Sequence, residues 1–320
     1  MSRIAAAMDV FCVAVDWGTS SFRLWALKDD GGVAVELQNK SGMATLKPQE
    51  FRRVLDESRR DLGLSDEIPV IICGMAGSAQ GWMEAPYADL PARLTEVPGT
   101  AVRIPSDRGD IRILPGLAQR DPSQPDVIRG EETLLLGALV ERKIEGTVCL
   151  PGTHSKWARI DNGSVTGFST AMTGEVFALL SQNSTLAHFV RPADSHSYGG
   201  APFSDAVRQA VEAPSDILQA LFSVRAAPLL GCARSDEMAA RLSGLLIGLE
   251  IAGMKNRAGS HVTLISSGIL AENYGRALTA AGLSYELCDS EEMVRAGLYF
   301  AAKSLWPGRV HAAAEAAVEF

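Results

Sequence analysis

Residues 13–27 read VAVDWGTSSFRLWAL, and no other stretch of the chain is as informative. An apolar run ends at Asp16, small and hydroxylated residues follow at 18–21, and a second apolar run begins at Phe22. This pattern predicts a β-hairpin whose tip offers backbone N–H groups and hydroxyls to an anion. A carboxylate at the end of the first strand can hold Mg²⁺, directly or through its waters. The pattern favours nucleotide phosphate binding over an ordinary hairpin with a polar tip.

A similar pattern occurs about one domain length later in the chain. Residues 148–160 read VCLPGTHSKWARI, again with a small-residue turn between two apolar runs. Setting 152–153 over 18–19 aligns Ser155 with Ser21. Two such hairpins predict a duplicated fold. If the two tips face each other, they can grip a polyphosphate from both sides.

Composition and charge limit the class of protein. The 320 residues suffice for one large or two medium domains, and 47% hydrophobic with 21% charged residues is typical of a soluble enzyme. The net charge of −8 argues against a general nucleic-acid binder, which needs a basic face. A local pocket can still bind a small anion.

The cysteines and the apolar runs bear on the compartment. The cysteines are odd in number and lack a CxxC spacing, which fits a reducing cytoplasm. They are Cys12, Cys73, Cys149, Cys232 and Cys288. The N-terminal run at 4–15 contains Asp9 and leads into the first strand, unlike a signal peptide. The run at 242–254 is too short for a membrane span and carries Glu250. A soluble, cytoplasmic protein is expected.

The apolar patterns predict strands and helices in two successive blocks. Strands are predicted at 10–16, 22–27, 33–37, 69–73, 111–114, 147–150, 156–160, 164–170 and 261–266. A turn at Asp161-Asn162-Gly163 is predicted to join the strands at 156–160 and 164–170. Helices are predicted at 48–62, 174–190, 204–257, 291–305 and 311–320, with a loop at 192–204. Strands followed by helices, twice over, indicate an α/β protein of two lobes. The DPSQP segment at 121–125 is the best candidate for the boundary between the two lobes. It divides the chain into 1–123 and 124–320, with the helix at 291–305 packing back on the first lobe.

Motifs spread over most of the chain identify a family. They are DWGTSSFRLW at 16–25, GMAGSAQGWMEAPY at 74–87, IRGEETLLLGA at 128–138, PGTHSKW at 151–157, MTGE at 172–175 and SGLLIGLEIAGM at 243–254. With them, the chain resembles the 2-dehydro-3-deoxygalactonokinases, sugar-acid kinases of the superfamily that includes hexokinase, actin and the heat-shock ATPases. The resemblance implies a two-lobed ribonuclease H-like fold with ATP and the sugar acid meeting in a central cleft. It also implies phosphorylation of 2-dehydro-3-deoxy-D-galactonate at its 6-hydroxyl, a step of galactonate catabolism.

The resemblance assigns the contacts to ATP and Mg²⁺. Phosphoryl transfer requires neutralised charge, in-line positioning and removal of the hydroxyl proton. Asp16 is predicted to anchor Mg²⁺. The turn after the strand at 261–266 looks like the adenosine-binding turn of the superfamily. The predicted ATP contacts are Gly18, Thr19, Ser20, Ser21, Gly152, Thr153, Ser267 and Gly268.

The general base is predicted at the start of a helix. Many relatives place an aspartate at the second hairpin, but positions 150–151 are Leu and Pro here. The segment 129–133, RGEET, resembles the acid-Thr helix start that carries the catalytic acid in hexokinases. Glu132 is slightly preferred over Glu131, although acids in a first helical turn also favour the helix dipole whatever their function. His154 is the next candidate.

The sugar acid is predicted to bind near the small-residue turn at 74–78. The predicted substrate contacts are Gly77, Ser78, Trp82, Tyr87, Arg129 and Lys156. The aromatic residues are equally suited to a core. The two cations could neutralise the substrate carboxylate or a phosphate, or lie on a solvated face.

Two other functions use the same fold. A phosphatase or exopolyphosphatase would replace the sugar hydroxyl with water. A nucleotide-switch ATPase would lack a sugar substrate, and activators of this kind often carry iron–sulphur cysteines, for which the sequence has no suitable cluster. The turn at 74–87 favours the kinase. The expected partners are ATP and a sugar acid, with a homodimer left open and neither a nucleic acid nor a membrane expected.

Overall fold

The computed structural model describes residues 10–190, 200–255 and 259–309. Its strands are β1 Val10–Trp17, β2 Phe22–Lys28, β3 Val33–Asn39, β4 Val70–Gly74, β5 Ala88–Asp89, β6 Ala92–Arg93, β7 Val102–Ile104, β8 Ile111–Ile113, β9 Leu117–Gln119, β10 Asp126–Ile128, β11 Gly146–Leu150, β12 Ser155–Asp161, β13 Ser164–Ala171, β14 His261–Ile265 and β15 Ser284–Cys288. Its helices are α1 Glu50–Asp61, α2 Glu131–Arg142, α3 Thr173–Asn183, α4 Ala201–Glu212, α5 Ile217–Leu229, α6 Met238–Met254, α7 Gly268–Ala280 and α8 Ser290–Leu305. The predicted α/β class is confirmed.

The described residues form two compact units. The first contains residues 10–144, 162–166 and 291–309, and the second contains 145–161 and 167–290 without the undescribed positions. The first unit therefore extends past the predicted boundary at residue 123. The reason is close packing of α2 on α8: a Cβ on Gly137 would lie 1.8 Å from the carbonyl oxygen of Met293, and one on Gly297 would lie 2.0 Å from that of Thr133.

The main sheet of the first unit has the strand order β3-β2-β1-β4-β8-β7. β1 pairs antiparallel with β2 and parallel with β4, and β4 pairs parallel with β8. The central strands β1 and β4 are almost wholly buried, as expected for strands covered on both faces. Their register places Asp16 beside Cys73, at the carboxyl ends of both strands. A separate small sheet has the order β10-β9-β5.

The second unit repeats this topology. Its strands lie in the order β13-β12-β11-β14-β15, with β11 antiparallel to β12 and parallel to β14. β15 is parallel to β14. Each sheet thus begins with a meander of three strands and continues with two parallel strands, so the predicted duplication is confirmed. The first residues of β13 belong to the first unit, where Ser164 and Val165 pair with β6.

All nine predicted strands are found within two residues of their expected bounds, and the predicted turn joins β12 and β13. Asn162 and Gly163 have φ values of 51° and 74°, which is the conformation that an Asn-Gly hairpin turn requires. The helix predicted at 174–190 ends at 183, and the predicted helical region 204–257 is divided into α4, α5 and α6. Pro214 contributes to the first division because it lacks a backbone N–H.

Some predictions fall at the edge of the described residues. Residues 201–204 of the predicted loop form the start of α4, and the remainder of that loop up to 199 lies outside the described residues, as does the helix predicted at 311–320. No helix in the described part of the chain is long and apolar enough to cross a membrane.

Candidate active site

The predicted first turn closes the hairpin of β1 and β2. The N–H of Gly18 donates to the carbonyl oxygen of Ser21 at 2.9 Å, and residues 43–44 donate to the carbonyl oxygens of Gly18 and Thr19. Thr19 and Ser20 are exposed. The carbonyl groups are therefore used to fix the turn, while the hydroxyl-bearing residues at its tip lie at the surface.

Asp16 lies half-buried beside this turn. The Cys73 thiol donates to its Oδ1 at 3.9 Å. Burial raises the pKa of Asp16, the positive charge of Arg23 lowers it, and the negative charge of Glu131 raises it further. Gly74 follows β4 with φ 86°, and a Cβ there would lie 3.5 Å from Asp16 Oδ1 and 2.7 Å from the Trp17 carbonyl oxygen. The glycine thus allows the end of β4 to pack closely on the end of β1 and puts no side chain next to the carboxylate.

This donor set fits Mg²⁺. Mg²⁺ keeps several waters and is usually bound through one or two carboxylates and the substrate phosphates, not by a cage of protein ligands. Among the described residues there is no cluster of three or more His, Cys, Asp or Glu side chains that could form such a cage. A single carboxylate beside a polar turn is consistent with the first arrangement.

The start of α2 brings two more carboxylates to the same region. Gly130 has φ 105°, and a Cβ there would lie 3.3 Å from the Cα of Gly74. Glu132 is only 2% exposed. Its carboxylate accepts hydrogen bonds from the Gly130 N–H at 2.6 Å and the Thr133 hydroxyl at 3.0 Å. Burial, followed by the charge of Glu131, raises the pKa of Glu132 to about 8.

Glu131 differs from its neighbour in exposure. It is half-buried, and its Oε2 accepts the Arg129 N–H at 2.9 Å. Its charge raises the pKa of both Asp16 and Glu132. The structure therefore brings three of the predicted residues, Asp16, Glu131 and Glu132, into one electrostatic group within the first unit, and Glu131 is more accessible than Glu132.

Arg129 has hydrogen-bonding capacity to spare. Its Nη2 donates to the Ala85 carbonyl oxygen at 2.8 Å, and its Cζ lies 4.2 Å from the centroid of the Tyr87 ring. Its Nε and Nη1 are buried and have no hydrogen-bond partner among the described residues, and the same holds for the Ser78 hydroxyl. A Cβ on Gly77 would lie 2.9 Å from Nη1. Unpaired buried donors are costly, so this arrangement suits an anion with several acceptor oxygens.

The two other predicted substrate contacts are Trp82 and Lys156. Trp82 packs with Trp17 and Phe51 at centroid distances of 6.1 and 6.2 Å, at the edge of the core of the first unit. Lys156 is half-buried on β12, opposite Leu150. For both residues a contact with substrate stays a prediction.

The second turn, at 151–154, rests on the start of α3. Glu175 donates its N–H to the Thr153 carbonyl oxygen at 3.0 Å, and its carboxylate lies 2.5 Å from His154 Nε2. A Cβ on Gly174 would lie 2.7 Å from the Gly152 carbonyl oxygen. The turn is thus held by α3, and His154 is engaged with a carboxylate.

The predicted adenosine turn follows β14. The Ser267 hydroxyl donates to Asp289 Oδ2 at 2.7 Å and accepts the Ser290 N–H at 3.0 Å. Gly268 has φ 59°, and a Cβ there would meet no described atom within 4 Å. Ile269 and Leu270 are next to it and are 41% and 42% exposed. The turn combines a fixed serine with open space and exposed apolar side chains.

A buried carboxylate on α6 was missed as a functional candidate. Glu250 is 7% exposed. Its carboxylate accepts hydrogen bonds from Trp157 Nε1 and the Tyr274 hydroxyl, both at 2.8 Å, and from the Thr173 hydroxyl. The Tyr274 hydroxyl also lies 2.7 Å from Ser155 Oγ. An acid inside the apolar run at 242–254 was the available signal, but its partners are far away in sequence.

The repeated sheet topology, with a polar turn after the first strand of each repeat, places the protein in the class of actin-like, ribonuclease H-like folds. Comparison with known proteins narrows this class. The chain belongs to the 2-keto-3-deoxy-galactonokinase family, whose model matches residues 16–301. The resemblance seen in the sequence motifs is thereby confirmed.

Individual relatives agree with the family match. A protein of Rhizobium meliloti (strain 1021), named a probable 2-dehydro-3-deoxygalactonokinase, is 48% identical over 300 residues, which are 93% of this chain and 98% of the relative. The 2-dehydro-3-deoxygalactonokinase of Escherichia coli (strain K12) is 32% identical over 288 residues, 89% of this chain and 95% of the relative. The crystal structure of a protein assigned as this kinase from Sinorhizobium meliloti superposes with a TM-score of 0.89, at 48% identity, and covers 93% of this chain and 100% of that one.

Proposed function

We propose that this protein transfers the γ-phosphoryl group of ATP to the 6-hydroxyl of 2-dehydro-3-deoxy-D-galactonate. The observation that carries the proposal is the family match, which runs through nearly the whole chain and includes both turns and the start of α2. ATP use follows from membership of a kinase family. The geometry of the first unit adds buried cationic and carboxylate groups of the kinds that this reaction needs.

Asp16 is the proposed anchor for Mg²⁺. The carboxylate lies half-buried at the end of β1, beside the first turn and next to Gly74, which has no side chain. When bound, Mg²⁺ would neutralise charge on the transferring phosphoryl group. Asp16 itself supplies the negative charge that holds the ion, and the positive charge of Arg23 favours this ionised form by lowering the pKa of Asp16.

The two turns and the turn after β14 are the proposed ATP contacts. The tips at 18–21 and 152–153 offer hydroxyls and backbone groups to phosphates. The exposed Ile269 and Leu270 give the turn at Ser267 and Gly268 an apolar surface against which a nucleoside base can pack.

Glu131 is the proposed general base, and Glu132 the residue that fixes the start of α2. Sequence reasoning slightly preferred Glu132, but that side chain is 2% exposed and uses both carboxylate oxygens within its own turn. A base must come within hydrogen-bond reach of the proton that it removes. The more accessible Glu131 meets this requirement better, and His154, held by Glu175, stays the next candidate.

Arg129 and Ser78 are the proposed contacts to the substrate carboxylate. Arg129 offers two buried N–H groups from a guanidinium stacked on Tyr87, and Ser78 offers a hydroxyl. A carboxylate supplies acceptors that these donors lack among the described residues. Gly77 provides the close approach, since a side chain there would strike Arg129.

A coupled assay tests the activity. We expect rapid, sugar-acid-dependent ADP release with 2-dehydro-3-deoxy-D-galactonate and far slower release with D-glucose, because a neutral hexose leaves Arg129 unpaired. Arg129→Gln should abolish most of this preference by lowering kcat/KM for the sugar acid. ATP hydrolysis that is indifferent to the sugar acid would instead support the phosphatase or nucleotide-switch alternatives.

A further inference from the structure

The only charged side chain within the apolar run 242–254 is one that the proposed reaction does not use. Glu250 lies on α6, 7% exposed, where burial raises its pKa and hydrogen bonds from Thr173, Trp157 and Tyr274 lower it. A buried charged group is weak evidence for stability, because removing the group from water costs about as much as its bonds return. The role of Glu250 is therefore indicated by where its hydrogen-bond donors lie in the fold, and not by how many there are.

The donors lie on both sides of the second turn. Trp157 is on β12, which leaves the turn, and Tyr274 links Glu250 to Ser155, the first residue of that strand. Thr173 is the first residue of α3. It directly precedes Gly174 and Glu175, which pack on the turn. Glu250 is thus bonded to the exit of the turn and to the helix start that supports it.

The chemistry of the donors fixes the direction of the hydroxyl groups. An indole N–H can only donate, so one oxygen of Glu250 must accept from Trp157. In the acceptor-only carboxylate form, the Tyr274 hydroxyl donates to Glu250 and Ser155 donates to Tyr274. A single carboxylate therefore sets the orientation of a chain of hydroxyls that ends at the base of the turn.

We infer that Glu250 is a positioning residue, which holds the turn at 151–154 in its phosphate-binding conformation through Ser155, Trp157 and Thr173. This inference rests on the proposed function of that turn as a phosphate contact. Glu250 does not touch the nucleotide. It holds the start of β12 and the start of α3 in fixed positions on either side of the turn. The backbone of Gly152 and Thr153 therefore needs no reordering when ATP binds.

The test compares Glu250→Gln with Ile247→Val. Gln has nearly the same shape but replaces one acceptor with a donor, so the Tyr274 and Thr173 hydroxyls must turn round. Ile247 is buried on the same helix, and its truncation lowers stability without removing any hydrogen bond. Glu250→Gln should raise KM for ATP, and the calorimetric Kd of a non-hydrolysable ATP analogue, at least about tenfold. KM for the sugar acid should stay within about twofold. Ile247→Val should lower Tm and leave both KM values unchanged.

Two outcomes separate this inference from the proposed function on which it rests. Gly152→Ala fits the free turn, since its Cβ would make only an ordinary contact of 3.7 Å with His154, yet it places a methyl group where a phosphate is proposed. If Gly152→Ala weakens ATP binding and Glu250→Gln only lowers Tm, Glu250 is merely structural and the inference fails. If Gly152→Ala leaves ATP binding unchanged, the turn is not a phosphate contact. The proposed role of the turn and the inference about Glu250 then both fail.

Further variants keep the test decisive if Glu250→Gln does not fold. Tyr274→Phe removes the hydroxyl that bridges Glu250 and Ser155, and Thr173→Val removes the hydrogen bond to α3, while each leaves the carboxylate in place. Both should raise KM for ATP several-fold with an unchanged KM for the sugar acid. Unchanged ATP kinetics in both folded variants would overturn the inference.

Discussion

The turns at 18–21 and 151–154 occupy equivalent positions in two sheets of the same strand order, but their surroundings differ in charge. The first follows Asp16 and lies in the unit that holds Glu131 and Glu132. At the position equivalent to Asp16, the second has Leu150, which is 5% exposed, and its carboxylate support, Glu250, is buried beneath the turn. Both copies have a polar turn after the first strand, but only the first copy has an acid at the end of that strand. Substitutions in one turn can therefore be compared with matched substitutions in the other.

Replacing Asp16 should produce the largest effect. We expect Asp16→Asn to lower kcat by roughly a thousandfold or more, because the charge that opposes Mg²⁺ is lost. Since burial raises the pKa of Asp16, the neutral amide should keep or raise Tm at pH 8, as measured by calorimetry. Leu150→Ala is the matched change in the other turn. It should lower Tm by truncating a buried side chain and leave kcat of the folded enzyme within about tenfold.

The two glutamates at the start of α2 should differ in their effect on turnover. A general base contributes about 10²–10⁴-fold to rate, so Glu131→Gln should lower kcat by at least roughly a hundredfold with ATP binding kept. Glu132→Gln keeps a hydrogen-bonding side chain in the buried turn and should cost less than about tenfold. Steady-state kinetics of both variants decide the matter. A dead Glu132→Gln beside an active Glu131→Gln would restore the preference that the sequence suggested.

Stability should depend on pH through Glu132. Its pKa is about 8 in the folded protein, against an ordinary value of 4.5. Between these pH values the folded protein retains a proton that the unfolded chain has lost, so stability falls as pH rises from about 4.5 to 8. The loss should reach a few kcal/mol, since one pKa unit corresponds to about 1.4 kcal/mol. Glu132→Gln should flatten this part of the curve in urea titrations run from pH 5 to 9. An equally steep curve in the variant would assign the dependence to another group.

The glycines that press on the two turns should have similar, smaller effects. A Cβ on Gly42 would lie 2.4 Å from the Ser20 carbonyl carbon, and one on Gly174 would lie 2.7 Å from the Gly152 carbonyl oxygen. Alanine at either position forces backbone shifts, which typically cost about 1–3 kcal/mol. Gly99→Ala is the control, because a Cβ there would meet no described atom within 4 Å. Equal Tm values for all three variants would show that neither turn is held as tightly as its contacts indicate.

Local patterns were sufficient to predict the framework of the fold. The change from an apolar run to Asp16 and a small-residue turn located the first hairpin, and Asn162-Gly163 located another, because both depend on residues adjacent in sequence. The end of α3 at 183 was missed. The helical content of 204–257 was predicted, but the bounds of its three helices were not.

The candidate site was only partly predictable for the same reason. Asp16 and the pair at 131–132 were identified from local motifs, and the charge of Glu131 raises the pKa of both Asp16 and Glu132. That Glu132 would be buried by its own helix start depended on the packing of Gly130 against Gly74. The partners of Glu250 lie between 157 and 274, and no local pattern connects them.

The packing of α8 on the first unit has a consequence for the order in which the two units fold during translation. Val294 and Leu298 of α8 complete a core that includes Phe11, Cys12 and Trp25 near the opposite end of the chain. The first unit cannot bury this core until residue 298 has left the ribosome, whereas every described residue of the second unit precedes 291. Domains fold as units during translation. The second unit can therefore fold and bury its own apolar residues first, while the residues of the amino-terminal sheet that α8 covers stay exposed to water until α8 has been synthesised.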